Sequence, residues 1–242
     1  MGLIEIRNVS KSFNGLPVLQ DVNLLVEKGT TVVILGKSGV GKSVLLKAII
    51  GLIEPDTGSI RIDGHEVVGM KRKDKNALRR RMGYLFQGAA LYDSMSVREN
   101  LAFPLERREQ LTKLELEERI VRQLEMVGLE DAIDKMPAEL SGGMKKRIAL
   151  ARALIINPQI MLYDEPTTGL DPATAREISY LIKELQHRYQ PTSIAVTHDM
   201  MCARIIADKV AVLHDGIVEH EGSIAELEKV DNEIVRSFFA TE

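Results

Sequence analysis

The chain has 242 residues, 45% of them hydrophobic, which is ample for a sizeable buried core, and its net charge of −3 gives no general attraction to nucleic acid. No stretch approaches the roughly 20 consecutive apolar residues that a membrane-spanning helix needs. Cys202 is the sole cysteine, which excludes an intramolecular disulfide and fits a reducing, cytosolic compartment.

In chain order, strand-like segments are expected near 3–9, 18–26, 31–35, 59–62, 83–86, 160–163, 192–197 and 209–213. They alternate with helical patterns, which makes the fold class α/β. The N-terminus runs directly into Leu3-Ile4-Glu5-Ile6 with no signal-peptide pattern before it. The apolar run Thr31-Val32-Val33-Ile34-Leu35 is followed by Gly36-Lys37-Ser38-Gly39-Val40-Gly41-Lys42-Ser43 and, from Val44, by a helical pattern that ends at Gly51. Strand, glycine loop and helix form the context of a phosphate-binding loop. Its glycines bring backbone N–H groups close to phosphate oxygens, Lys42 reaches the outer phosphates, and the Ser43 hydroxyl can ligate Mg²⁺.

Asp63-Gly64 and Asp215-Gly216 read as hairpin turns. Between the first of these and the next strand lies a basic cluster, Lys71, Arg72, Lys73, Lys75, Arg79, Arg80 and Arg81, which reads mainly as a solvated helix face, with a supporting role close to anionic lipid headgroups as the alternative. From about 89 to 156 strand signals vanish, so a helical subdomain inserted into an α/β core (about 1–88 and 157–242) is expected, all within one nucleotide-binding unit. One of its helices opens on Thr112 and Glu115 at capping-box spacing; another starts at Ser141, a good N-cap residue.

The strand Ile160-Met161-Leu162-Tyr163 delivers Asp164 and Glu165 to its C-terminal end, the edge at which open α/β sheets bind ligands. Asp164 is the natural partner for Mg²⁺, and Glu165 is left to orient or deprotonate an attacking water. Leu140-Ser141-Gly142-Gly143 is a second anion-binding design, with a hydroxyl, two glycines and a helix start. One site does not need two phosphate cradles.

With these motifs the chain resembles the ATP-binding cassette (ABC) family over essentially its whole length. The resemblance implies a P-loop NTPase (RecA-like) core with an N-terminal antiparallel β part, ATP and Mg²⁺ as cofactors, and ATP hydrolysis coupled to a membrane permease. It also implies a head-to-tail homodimer in which Leu140, Ser141, Gly142, Gly143 and Met144 close on the nucleotide held by the opposite subunit. Gln87 resembles the Q-loop glutamine that touches Mg²⁺ or the water. Gly169-Leu170-Asp171 resembles the D-loop, His198 the switch histidine at the γ-phosphate, and Phe13 the aromatic that stacks on adenine.

The segment at 88–105, where a permease is expected to dock, is similar to that of the ATPases of Mla/Mce-type lipid transport systems. So are Met136-Pro137-Ala138-Glu139, Met144 where most cassettes have Gln, Thr197-His198-Asp199-Met200, and Val235-Arg236-Ser237-Phe238-Phe239. This subfamily likeness implies movement of phospholipid or another hydrophobic molecule between inner membrane and outer envelope. An Mce-type lipid-binding protein is the expected partner beyond the permease, and the expected location is the cytoplasmic face of the inner membrane. Some members carry a longer C-terminal extension that reaches the opposite subunit; this chain stops at Glu242, so pairing through such a tail is not expected. The alternatives are a small-solute transport cassette and a regulatory cassette that signals to an envelope enzyme. A DNA- or ribosome-acting cassette is disfavoured by the acidic net charge and by the lack of a long coiled-coil insertion.

Overall fold

In a computed structural model, residues 2–239 are described; Glu242, on which the expectation about the tail rests, lies outside them. The strands are β1 (Ile4–Phe13), β2 (Leu16–Val26), β3 (Thr31–Leu35), β4 (Thr57–Ile62), β5 (His65–Glu66), β6 (Met82–Leu85), β7 (Ile160–Asp164), β8 (Thr192–Thr197), β9 (Lys209–His214) and β10 (Ile217–Gly222). The helices are α1 (Lys42–Ile49), α2 (Arg72–Arg79), α3 (Val97–Glu106), α4 (Lys113–Glu125), α5 (Gly142–Leu154), α6 (Pro172–Tyr189), α7 (Met200–Ile206), α8 (Ile224–Leu227) and α9 (Glu233–Phe239).

Two sheets organise these elements. One is antiparallel, in the order β2-β1-β4-β5; the other runs β10-β9-β3-β8-β7-β6, parallel except for β10. The parallel strands read as unbroken apolar runs because both of their faces are covered. Val32 and Ile34 of β3 enter the core shared with α1 and the antiparallel sheet, whereas Val33 and Leu35 enter the core under α5, α6 and α7. Ile160 and Leu162 of β7 alternate with Met161 and Tyr163 in the same way.

No strand lies between β6 and β7 among the described residues. The helices there have a core of their own: Val97, Leu101 and Leu105 of α3, Ile120 and Leu124 of α4, and Ile148 and Ala151 of α5. α4 opens on a Thr112–Glu115 capping box, and α3 has its own in Ser96 and Glu99. Asp63-Gly64 and Asp215-Gly216 are left-handed at both positions and turn β4 into β5 and β9 into β10. Asn14-Gly15 does the same between β1 and β2, so those strands run closer to their shared turn than the expected 3–9 and 18–26.

The basic cluster is not uniformly a solvated face. Lys71, Arg72, Lys73 and Arg80 are exposed. Arg79, by contrast, donates at 2.8 Å to the carbonyls of both Ile50 and Gly51, placing a cation on the free carbonyls at the end of α1. Lys75 pairs with Glu54, and Arg81, already beyond α2, pairs with Asp63 and Gln159. These charges stitch α2 and β6 to the core.

Candidate nucleotide site

The phosphate-type loop joins β3, at the centre of the parallel sheet, to α1, so the helix N-terminus and its free N–H groups point into the site. Two glycines there are required by their surroundings. Gly41 caps α1 at φ 102, and a Cβ on it would sit 2.7 Å from the Val18 carbonyl; a Cβ on Gly36 would meet the Leu213 carbonyl at 2.6 Å. The loop opens on a cavity of about 230 Å³ lined by Val18, Ser38, Gly39, Lys42, Ser43 and Val44 together with Gln87 and Glu165.

Lys42 is buried, with its ammonium 2.6 Å from the Gly36 carbonyl, 2.9 Å from that of Lys37 and 3.1 Å from Glu165 Oε1. Glu165 is also fixed from other sides. Thr168 donates to its Oε2 at 3.0 Å, and His198 Nδ1 lies 2.8 Å from the same oxygen. Its backbone is left-handed, at φ 49. A non-glycine residue keeps that conformation only where its surroundings over-determine it, as sites of chemistry commonly do.

Ser43 and Asp164, 121 positions apart, meet through a 2.8 Å hydrogen bond from the hydroxyl to Oδ1, while Tyr84 donates to Oδ2 at 3.0 Å. Burial, and then the Asp164 charge, push the Tyr84 phenol well above its ordinary pKa, so it stays a donor. A hydroxyl and a carboxylate side by side at the mouth of a phosphate loop are hard oxygen donors of the kind Mg²⁺ takes. The residues fit a magnesium nucleotide.

Leu140, Ser141, Gly142, Gly143 and Met144 lie elsewhere: none of them lines this cavity. Ser141 caps α5, accepting from the Met144 N–H at 3.3 Å, and is exposed. Leu170 lies close to Gly142, and Asp171 caps α6 by accepting from the N–H groups of Ala173 and Thr174, with Gly169 exposed between strand and helix. Phe13 stands at the β1–β2 turn, 42% exposed, with the Lys11 ammonium 5.4 Å above its ring; Val18 of the returning strand, not Phe13, lines the cavity.

Two contributors escaped the sequence reading. Tyr84 lies on β6 beside β7, a neighbour set by sheet order that no local motif signals. Lys146 sits on α5, 4% exposed, and donates to the backbone carbonyls of Gln87 and, at 3.2 Å, Glu165; burial lowers its pKa to about 8. A lysine in an amphipathic stretch carries no mark of burial.

The family model described as ABC transporter matches residues 19–168. The chain is 39% identical over 235 residues to a protein of Mycobacterium leprae named as a probable ribonucleotide transport ATP-binding protein, covering 97% of this chain and 68% of that one. It is 40% identical over 232 residues to a methionine import ATP-binding protein of Carboxydothermus hydrogenoformans, covering 93% and 67%. For the Mycobacterium tuberculosis counterpart of the first, the share is 66%, so the chain spans about two thirds of such relatives. Among solved structures, a dimeric ATP-binding cassette, MJ0796, bound to ADP and Pi aligns with TM-score 0.84 at 34% identity, covering 91% of this chain and 98% of that one. CbiO1 of Clostridium perfringens aligns with TM-score 0.85 at 30% identity, covering 99% and 98%. With its phosphate loop, paired acids and separate α5 cap in that arrangement, the chain belongs to the ABC transporter family, as an ATPase cassette that uses ATP with Mg²⁺.

Proposed function

We propose that this cassette pairs head to tail with a second copy and drives a membrane permease, moving phospholipid or another hydrophobic molecule between inner membrane and outer envelope. The observation that carries the dimer is the separation of Ser141–Met144 from the cavity that holds Lys42, Glu165 and Ser43. The chain has two anion-binding designs and only one of them faces its own nucleotide cavity, so the other is free to complete the site of a second subunit. MJ0796, similar in fold, is described as dimeric.

Within such a site, Ser43, Asp164 and Gln87 would hold Mg²⁺, which would neutralise charge at the outer phosphates. The chain's own groups do the rest. The Lys42 ammonium holds phosphate oxygens, Glu165 orients the water and accepts its proton, His198 donates to the γ-phosphate, Phe13 stacks on adenine, and Gly169–Asp171 meet the opposite subunit.

A groove of about 290 Å³ lies beside β6 and α3, lined by Phe86, Tyr92, Phe103, Arg107, Arg108 and Arg152 among others. It overlaps the 88–105 segment assigned to the permease. The Arg107 guanidinium is 4.1 Å from the Phe103 ring centre, and Arg108 donates to the Arg80 carbonyl at 2.6 Å. No carboxylate lines the groove or ion-pairs with these arginines among the described residues. A permease segment with an acidic side chain between apolar ones complements that surface.

No helix among the described residues is long and apolar enough to cross a membrane, so attachment to the cytoplasmic face through a permease is part of the proposal. The lipid cargo and the Mce-type partner are supported by the likeness of the 88–105 and 136–144 segments. A small-solute cargo is the second reading, favoured by the names of the import relatives. Affinity capture from detergent-solubilised native membranes, with mass spectrometry of proteins and lipids, separates the two. A permease with an Mce-type protein and enriched phospholipid supports the first; a permease with a solute receptor replaces it by the second.

A further inference from the structure

Helix α5 carries two cations that turn into the protein. Lys146 donates to the main-chain carbonyls of Gln87 and Glu165. Farther along the helix, Arg152 donates to the carbonyls of Ala89 at 3.2 Å and Ala90 at 2.8 Å, and to Asn100 Oδ1 at 3.2 Å. Neither has a carboxylate at ion-pair distance among the described residues. Their hydrogen bonds go chiefly to backbone oxygens; the Asp164 and Glu165 charges act on Lys146 from farther off, and the Tyr92 ring lies 5.5 Å from the Arg152 guanidinium.

The loop they hold is a strained one. Ala89 and Ala90 both have left-handed backbones, at φ 63 and 50, a conformation that alanine avoids and that persists where neighbours over-determine it. Burying the Lys146 ammonium is costly, as is partly burying the Arg152 guanidinium, and packing alone would be served better by apolar side chains. The two cations therefore need a role beyond filling space.

We propose that Lys146 and Arg152 are positioning residues that latch the loop at 87–90 onto α5, fixing Gln87 and Glu165 relative to each other and to the helix. Neither touches nucleotide; both act through the loop. The latch also ties three places together, because α5 is capped by Ser141, grips the loop in its middle, and reaches the Arg-rich groove through Arg152. Resting on the dimer and permease reading above, a shift in the groove would reach Gln87 through Arg152 and the opposite site through Ser141.

The test uses the full chain with Lys146→Met, Lys146→Arg and Arg152→Lys, read by hydrogen–deuterium exchange at residues 86–91 with and without MgATP, and by steady-state ATP turnover. Lys146→Met should speed exchange at 86–91 by about tenfold while the 36–44 loop keeps its protection. It should also lower kcat about tenfold with KM for ATP within about twofold. Lys146→Arg, which keeps the donors, should recover most of both. Arg152→Lys, with fewer donors, should speed exchange at 89–91 and gives a second reading if Lys146→Met does not fold. Unchanged exchange at 86–91 in folded variants overturns the latch, as does a loss of protection spread evenly over the chain. The exchange readout needs neither dimer nor permease, so wild-type protein that shows the latch without an ATP-dependent dimer would count against the dimer reading alone.

Discussion

Lys42 Nζ and Glu165 Oε1 lie 3.1 Å apart, with side chains only 5% and 9% exposed. The ammonium keeps two further carbonyl acceptors and the carboxylate keeps Thr168 and His198, so neither charge depends on the other alone. In this arrangement one carboxylate is held by a cation, a hydroxyl and an imidazole at the mouth of the phosphate loop, where its orientation matters most.

Glu165→Gln keeps the size of the side chain and its hydrogen-bonding reach but cannot accept the proton of the attacking water. Turnover should fall by about 10²- to 10³-fold, within the range general-base removal gives. MgATP binding should persist, and the variant should run as an ATP-bound dimer on size exclusion. Full turnover would remove Glu165 from the base role.

The Asp164 carboxylate is satisfied by Ser43 on one oxygen and Tyr84 on the other. Tyr84→Phe removes only the second donor. Because a hydrogen bond to a charged, buried acceptor is worth about 1.5–3 kcal/mol, nucleotide-free protein should lose about that much unfolding free energy in urea. Ser43→Ala, which removes the other donor to the same carboxylate, should lose a comparable amount of stability and in addition require more Mg²⁺ for half-maximal turnover. Equal Mg²⁺ requirements in the two variants would contradict the assignment of Ser43 to the metal.

Ala90 is exposed and sits at φ 50. Glycine takes that conformation without the Cβ penalty of about 1–2 kcal/mol, though it loses part of the gain through a freer unfolded chain. Ala90→Gly should therefore raise unfolding free energy by up to about 1 kcal/mol by chemical denaturation. A loss of that size would mean the strain is absent.

Much of the site is legible in the sequence because its parts are local. A glycine loop between a strand and a helix, two acids at a strand end and a serine before two glycines each declare their chemistry within a few residues. What the sequence conceals is what folding assembles. Tyr84 reaches Asp164 only because β6 is the neighbour of β7, and Lys146 reaches Gln87 and Glu165 only because α5 packs on the sheet. The β1 and β2 limits are misjudged for a related reason. Ser10, Lys11 and Ser12 look like loop residues, yet Ser10 pairs with Thr57 of β4, and Lys11 and Ser12 continue into a β1–β2 extension whose register shifts at bulges before Asn14-Gly15 closes it. In the basic cluster, Arg79 reads like its exposed neighbours; its role depends on the end of α1 lying within reach.

The arginine groove gives the sharpest prediction about partners. Burial, and then the neighbouring Arg80 charge, lower the pKa of Arg108, while Arg107 covers the Phe103 ring. This concentration of positive charge has an aromatic floor and no carboxylate of its own among the described residues. Reversing the charge with Arg107→Glu and Arg108→Glu should leave ATP binding unchanged, because neither residue lines the nucleotide cavity. Co-purification with the permease should fall by about tenfold or more, the scale of a lost interfacial charge pair at roughly 1.5 kcal/mol or above. An acidic-to-basic change in the permease segment should restore it. Reversal without loss of the permease would show that the groove is not where the partner's charge is read, and would move the docking surface to the apolar part of the 88–105 segment.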